Sequence, residues 1–146
     1  MFLDLRTVKK SGKEKNDFFF EYVPQTELVD IPNAQLLPPV NVSGEITLLG
    51  NHSAYIECEV AFSIQGECTR CLEKTTRQFI IEINERIEEN NPDGYSLVND
   101  RIDLGKIVED AILINMPLNF LCREDCKGLC ADCGANLNEE DCKCKN

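Results

Sequence analysis

The chain has 146 residues, 42% of them apolar and 28% charged, with a formal net charge of −11, nine cysteines and one histidine. That length supports one domain with a substantial core, burying roughly 68–70% of its unfolded surface, and leaves room for only a small second lobe. The acidic balance, spread as −2, −6 and −3 over residues 1–50, 51–100 and 101–146, disfavours broad contact with nucleic acid and favours basic protein partners.

The start of the chain, Met1-Phe2-Leu3-Asp4-Leu5-Arg6, lacks the apolar stretch and cleavage site of a secretory signal. No apolar run approaches the ~20 residues of a membrane span. The expected setting is the cytoplasm, where cysteines stay reduced and their spacing points to metal or redox chemistry rather than structural disulfides.

Residues 2–9 and 17–23 read as two strands joined by a polar turn centred on Gly12. Phe18-Phe19-Phe20 is aromatic on both faces, which predicts a strand covered on both sides. Arg6, Lys9, Lys10, Lys13 and Lys15 make a basic cluster, read as a solvated hairpin tip with a phosphate-contacting patch as the alternative. Residues 24–39, with four prolines, predict a meandering connection carrying a short helical turn near Thr26-Glu27-Leu28-Val29.

The clearest β pattern lies between residues 40 and 89. Val40, Val42, Ile46 and Leu48 share one parity. After a turn at Gly50-Asn51-His52-Ser53, Ala54, Ile56, Cys58, Val60, Phe62 and Ile64 alternate with polar residues, as in a half-buried strand. Cys58 falls on the apolar side and reads as a small core residue. Phe79, Ile81, Ile83 and Ile87 repeat the alternation in an antiparallel neighbour. A loop at 88–94 and a short strand at 95–98 follow. Asp103 then reads as the N-cap of a helix over about 104–116, apolar at Leu104, Ile107, Val108, Ala111, Ile112 and Ile114, with Glu109 and Asp110 facing solvent and Pro117 as its stop. Lying across the sheet, that helix returns Cys122 towards it.

Eight cysteines form four close pairs: Cys68/Cys71, Cys122/Cys126, Cys130/Cys133 and Cys142/Cys144, with two, three, two and one intervening residues. Thiolates at these spacings can meet one tetrahedral ion. Cys130, Cys133, Cys142 and Cys144 can close a local site, because Gly134 to Asn138 between them is turn-rich. Cys68 and Cys71 then complete a second site with Cys122 and Cys126, although spacing also permits them to pair with Cys130 and Cys133. One or two zinc ions are expected. Sites filled by four sulfurs are closed, hence structural. The tail has too few apolar side chains to fold alone, so metal binding is expected to supply its stability. His52 sits in a turn and reads as solvated. An iron–sulfur cluster and a dithiol redox role for Cys68-Thr69-Arg70-Cys71 are the rivals, the second weakened because a strand, not a helix, follows the motif.

The predicted architecture is a β-rich α+β fold: a bent antiparallel sheet or partial barrel with one main helix, over residues 1–117, and a zinc-braced cysteine-rich tail over 118–146. The sequence holds no phosphate loop, Gly-x-Ser-x-Gly or Ser/His/Asp set, so a non-enzyme without a small-molecule substrate is expected.

Cys68-Thr69-Arg70-Cys71-Leu72, Asp103-Leu104, Pro117-Leu118, Asp125 to Cys130, and Cys133-Gly134-Ala135-Asn136-Leu137-Asn138 together resemble the YceD-like family. The resemblance implies a role in accumulation and processing of large-subunit (23S) ribosomal RNA, without known catalysis. The resemblance does not say whether the contact is RNA, a ribosomal protein or an assembly factor; the expected partner is a ribosomal protein or the large-subunit rRNA precursor. The acidic strand faces favour the protein. RNA contact would instead use Arg6, Lys9, Lys10, Lys13, Arg70, Lys74 and Arg77. A thiol-based redox sensor and a zinc-binding transcription adaptor are the alternatives.

Overall fold

The chain forms β1 (Phe2–Asp4), α1 (Leu5–Lys10), β2 (Lys15–Tyr22), β3 (Ala34–Leu48), β4 (Ser53–Glu67), β5 (Lys74–Glu89), β6 (Ser96–Leu97), β7 (Arg101–Asp103) and α2 (Leu104–Asn115). These come from a computed structural model that describes residues 1–24 and 27–144. Five strands make one unclosed sheet in the order β2-β3-β4-β5-β6, and β1 pairs antiparallel with β7.

The long hairpins follow directly from alternation. In β4, Ala54, Ile56, Cys58, Val60, Phe62 and Ile64 are all buried, at 6% exposure or less. Strands β3 and β5 pair with β4 on its two sides, antiparallel. Ile83 and Ile87 of β5 reach the same core, and Phe79 and Ile81 pack against its margin. Phe62 and Phe79, directly opposite, stack with centroids 5.5 Å apart.

Helix α2 starts where Asp103 accepts from the Lys106 N–H at 3.1 Å. Its buried stripe is Leu104, Ile107, Val108 and Ile112, with Ala111 packed beside them. The stripe ends at Ile112, and Ile114 falls off it at 81% exposure. Glu109 and Asp110 do not face solvent freely: the Tyr22 hydroxyl donates to Glu109 and the Tyr95 hydroxyl to Asp110 at 3.1 Å. These bonds tie the helix to the sheet.

Several expectations need correction. Residues 5–10 are helical, not the second half of a strand, because the Asp4 side chain caps the turn by accepting from the Arg6 N–H at 3.0 Å. Leu5 is thereby driven into the core at 1% exposure. Strand β2 is covered on one face only. Phe18 and Phe20 pack inward, while Phe19 points out at 62% exposure. Strand β3 begins at Ala34, earlier than expected, because Ala34 to Leu37 find partners in Ile64 to Gly66 and Ser63. The ladder breaks between Leu37 and Asn41, where Pro38 and Pro39 have no N–H to give. Glu27 to Val29 are not helical, and Thr26 lies outside the described residues. The sheet is mixed rather than antiparallel, since β6 runs parallel to the end of β5 through Glu88–Ser96 and Glu89–Leu97.

Phe18, Gly44, Cys58 and Ile83 form one cross-strand row. Gly44 approaches Cys58 so closely that an added methyl would overlap the Glu57 carbonyl and the Cys58 side chain. Gly44→Ala is therefore expected to lower stability by about 1–3 kcal/mol through overpacking. Urea unfolding checks this. An unchanged midpoint would show that β3 can move away from β4 without cost.

Candidate metal centre

The connection between β4 and β5 is a tight knuckle. The Cys68 N–H donates to the Glu73 carbonyl and the Leu72 N–H to the Cys68 carbonyl, both at 2.9 Å, with Leu72 in the left-handed region at φ 62°. This turn aims the thiols of Cys68 and Cys71 to one side. The chain leaving α2 meets it there. The Thr69 N–H donates to the Phe120 carbonyl at 2.8 Å, and Phe120 is wholly buried in the main core. Cys122 and Cys126 follow on a turn whose Cys126 N–H donates to the Arg123 carbonyl at 3.2 Å.

The structure brings Cys68, Cys71, Cys122 and Cys126 into one group, and Cys130, Cys133, Cys142 and Cys144 into another. In each group all four sulfurs lie within 4.8 Å of one another. A tetrahedral ion with metal–sulfur bonds of ~2.3 Å sets its ligands about 3.8 Å apart. In the inner group, Cys68 to Cys126 and Cys71 to Cys122 are both 3.7 Å. In the outer group, Cys130 to Cys142 is 3.2 Å, Cys133 to Cys142 is 3.7 Å and Cys130 to Cys144 is 3.9 Å. All nine cysteines are unbridged. Both groups therefore fit a metal ion held by four thiolates. Cys58 stands apart in the core, its thiol pushed up to about 11 by burial.

The thiols within each group are electrostatically unequal. Burial raises Cys68, but N–H groups of Cys71, Cys122 and Arg70 outweigh it and hold that thiol at about 6. Burial and the neighbouring sulfurs push Cys122 up to about 12. In the outer group, the Cys133 N–H and the Cys142 thiol lower Cys130 to about 6, while Cys142 and Cys133 push Cys144 to about 12. Each group thus pairs thiols held below the ordinary value with others pushed above it. Because thiolates are the ligating form, a metal ion held by either group would displace protons on uptake, and its binding would weaken on acidification.

Exposure distinguishes the groups. Cys68, Cys71 and Cys126 are buried at 0%, 4% and 3%, flanked by Leu121 and Leu129, whereas Cys133 is exposed. The outer turn is closed by the Cys130 N–H donating to the Ala135 carbonyl at 2.8 Å and the Gly134 N–H to the Cys130 carbonyl at 2.9 Å. Gly134 sits at φ 74°, a conformation that favours glycine.

The basic residues singled out from sequence scatter. Arg6 bonds Asp4 at 2.6 Å, Lys9 bonds Asp100 at 2.7 Å and Lys15 bonds Glu45 at 2.7 Å. Lys10 and Lys13 lie at the end of α1 and in the turn after it, with no ion pair among the described residues, and Lys74 opens β5 opposite Glu67. Arg70 and Arg77 serve the tail. Arg70 donates to the Cys126 carbonyl at 2.9 Å, and Arg77 to the Leu121 carbonyl at 3.2 Å while lying 5.6 Å from the Phe79 ring centroid. Sequence reasoning missed Phe120 and these two carbonyl clasps. An aromatic residue two positions before the first tail cysteine was the available signal.

A family model described as Large ribosomal RNA subunit accumulation protein YceD matches residues 56–146. An uncharacterized protein of Mycobacterium tuberculosis is 32% identical over 90 residues, covering 56% of this chain and 44% of that protein. A chloroplastic protein of Zea mays named Large ribosomal RNA subunit accumulation protein YCED homolog 1 is 40% identical over 52 residues, covering 35% of this chain and 18% of that protein. The chain thus spans less than half the length of these curated relatives. No solved structure matches it. The family match takes in most of β4, all of β5 and α2, and every cysteine of both groups, and the chain belongs to the YceD family of large ribosomal RNA subunit accumulation proteins.

Proposed function

We propose that this protein is a non-enzymatic ribosome biogenesis factor, braced by two structural zinc ions, that supports large-subunit rRNA accumulation by holding a basic ribosomal protein. Zinc is supported by the donor sets: eight thiolates in two closed groups, with inner spacings of 3.7 Å that suit its tetrahedral radius. A closed set of four sulfurs leaves no position for a reacting water, which favours a structural role.

The observation that carries the partner's chemistry is the outer face of the sheet. Asp17, Glu45 and Glu57 lie in one cross-strand row, and Glu59 and Glu82 in the next, beside exposed Phe19 and Ile80. Glu45 sits directly opposite Glu57, and Glu59 directly opposite Glu82. Like charges so placed destabilise a sheet. Among the described residues, only Glu45 of these five has an ion-pair partner, Lys15. A cationic polypeptide laid on this face offsets that repulsion. The alternative contact, rRNA, is disfavoured because Arg6, Lys9 and Lys15 are already paired with carboxylates.

The test is purification of the tagged protein with and without nuclease, with bound proteins identified by mass spectrometry. Large-subunit ribosomal proteins are expected to remain after nuclease. In the triple variant Glu57→Gln/Glu59→Gln/Glu82→Gln they are expected to be lost, while thermal stability holds or rises as repulsion is relieved. Partners that vanish with nuclease would assign the contact to RNA.

A further inference from the structure

The inner and outer cysteine groups are joined by one side chain. Asn138 lies in the loop between Cys133 and Cys142, both of the outer group, yet its Nδ2 donates to the Cys126 sulfur of the inner group at 3.3 Å. Its Oδ1 accepts from the Lys127 N–H at 2.8 Å and from the Arg123 guanidinium at 2.9 Å. These groups flank Cys126 on either side. The loop is positioned by the Leu137 N–H donating to the Gly128 carbonyl at 2.9 Å and by Asn136, whose Nδ2 reaches Glu73 at 3.0 Å beside the inner knuckle.

We propose that Asn138 couples the two centres: closing the outer centre seats its loop so that Asn138 hydrogen-bonds the Cys126 thiolate and slows metal loss from the inner one. This rests on the reading that both groups hold metal. The physical reason lies in charge. Four thiolates around a dication leave a net charge near −2, most of it on sulfur. An N–H donor aimed at one sulfur, as Asn138 Nδ2 is at Cys126, orients it and spreads its negative charge, which stabilises it as a ligand. Without the outer centre, only solvent-accessible hydrogen bonds such as Leu137 to Gly128 and Asn136 to Glu73 are left to hold the loop that places Asn138. The inner centre then loses its donor although all four of its ligands remain.

Two substitutions separate the possible causes. Asn138→Asp keeps an oxygen for Lys127 and Arg123 but removes Nδ2, which donates to the Cys126 sulfur and, at 3.0 Å, to Asn136 Oδ1. Asn138→Ala removes both. The readout is zinc release from the fully loaded chain into an excess of chromogenic chelator, with far-UV circular dichroism confirming that the sheet is folded. Wild type is expected to release in a fast outer and a slow inner phase. Cys71→Ser, lacking an inner ligand, shows only the outer phase and so identifies it. Both Asn138 variants are expected to accelerate the inner phase about 10–100-fold, the usual effect of losing an outer hydrogen-bond partner of a ligand. Cys130→Ser is expected to accelerate it similarly, and adding Asn138→Ala to Cys130→Ser should change nothing further.

Cobalt loading gives an independent signature. Asn138→Asp should shift the sulfur-to-cobalt charge-transfer band in the otherwise wild-type chain but not in Cys71→Ser. An inner phase unchanged by Asn138→Asp overturns the proposal, as do effects of Cys130→Ser and Asn138→Ala that multiply. A protein that takes up no zinc or cobalt overturns the metal reading itself, a result distinguishable from loss of coupling between two occupied centres.

Discussion

Replacing Cys71 with serine is expected to remove one of about two bound zinc ions and to open residues 118–144 to protease, while the strands before them stay folded. A serine hydroxyl is a poor zinc ligand, and its neighbours Cys68 and Cys126 would be left as buried thiols. Structural zinc contributes on the order of 10–16 kcal/mol in small peptides that fold around it. Here such an ion would link sulfurs 51 positions apart, Cys71 and Cys122, so its loss would also restore the freedom of a long loop, about 4 kcal/mol by the usual closure estimate. The tail has little else to replace that. Metal analysis and limited proteolysis with mass mapping check the result. Full metal content with an unchanged cleavage pattern would show that Cys71 is not a ligand.

Phe120→Ala is expected to cost about 3–5 kcal/mol, the range for removing a buried phenylalanine ring. Phe120 has 0% exposure and packs in the main core rather than among the cysteines. For a chain of this size, that cost lowers the melting temperature by on the order of 10 °C. Unlike the cysteine variant, Phe120→Ala should retain its full complement of metal, because its carbonyl can still accept from Thr69. Calorimetry alongside metal analysis distinguishes the two. A loss below 1 kcal/mol would mean that the core closes over the gap.

The parts of the fold legible in the sequence were those where local pattern and long-range partner agree. Strand β4 has a neighbour on each side and a core on one face, so every second residue is apolar without exception from Ala54 to Ile64. Helix α2 carried both its cap at Asp103 and its stripe. Elsewhere a distant partner decided. Leu5 and Val8 suit a strand or a helical turn equally, and the pairing of Phe2–Asp4 with Arg101–Asp103 ends the strand at Asp4. Ala34 to Leu37 are extended because β4 runs long enough to receive them, a fact absent from their own composition.

At the candidate metal centre, ligand types and spacings were legible because coordination chemistry is local to each pair. The supporting groups were not. Arg70 and Arg77 read from sequence as free positive charge, yet both are turned onto backbone carbonyls of a segment more than forty residues away. Asn138 read as turn chemistry, and its bond to a sulfur of the other group depends on how two turns clasp.

The order of ligands along the chain has a consequence for synthesis. The knuckle bearing Cys68 and Cys71 leaves the ribosome together with the long hairpin that holds it, while Cys122 and Cys126 follow only after the helix. For that interval the nascent domain displays a half-built claw. Zinc captured early would wait there with two open positions, and an oxidant arriving first would meet two adjacent, reactive thiols. Completion of this protein is therefore expected to track the supply of reduced sulfur and metal at the very moment of its own translation.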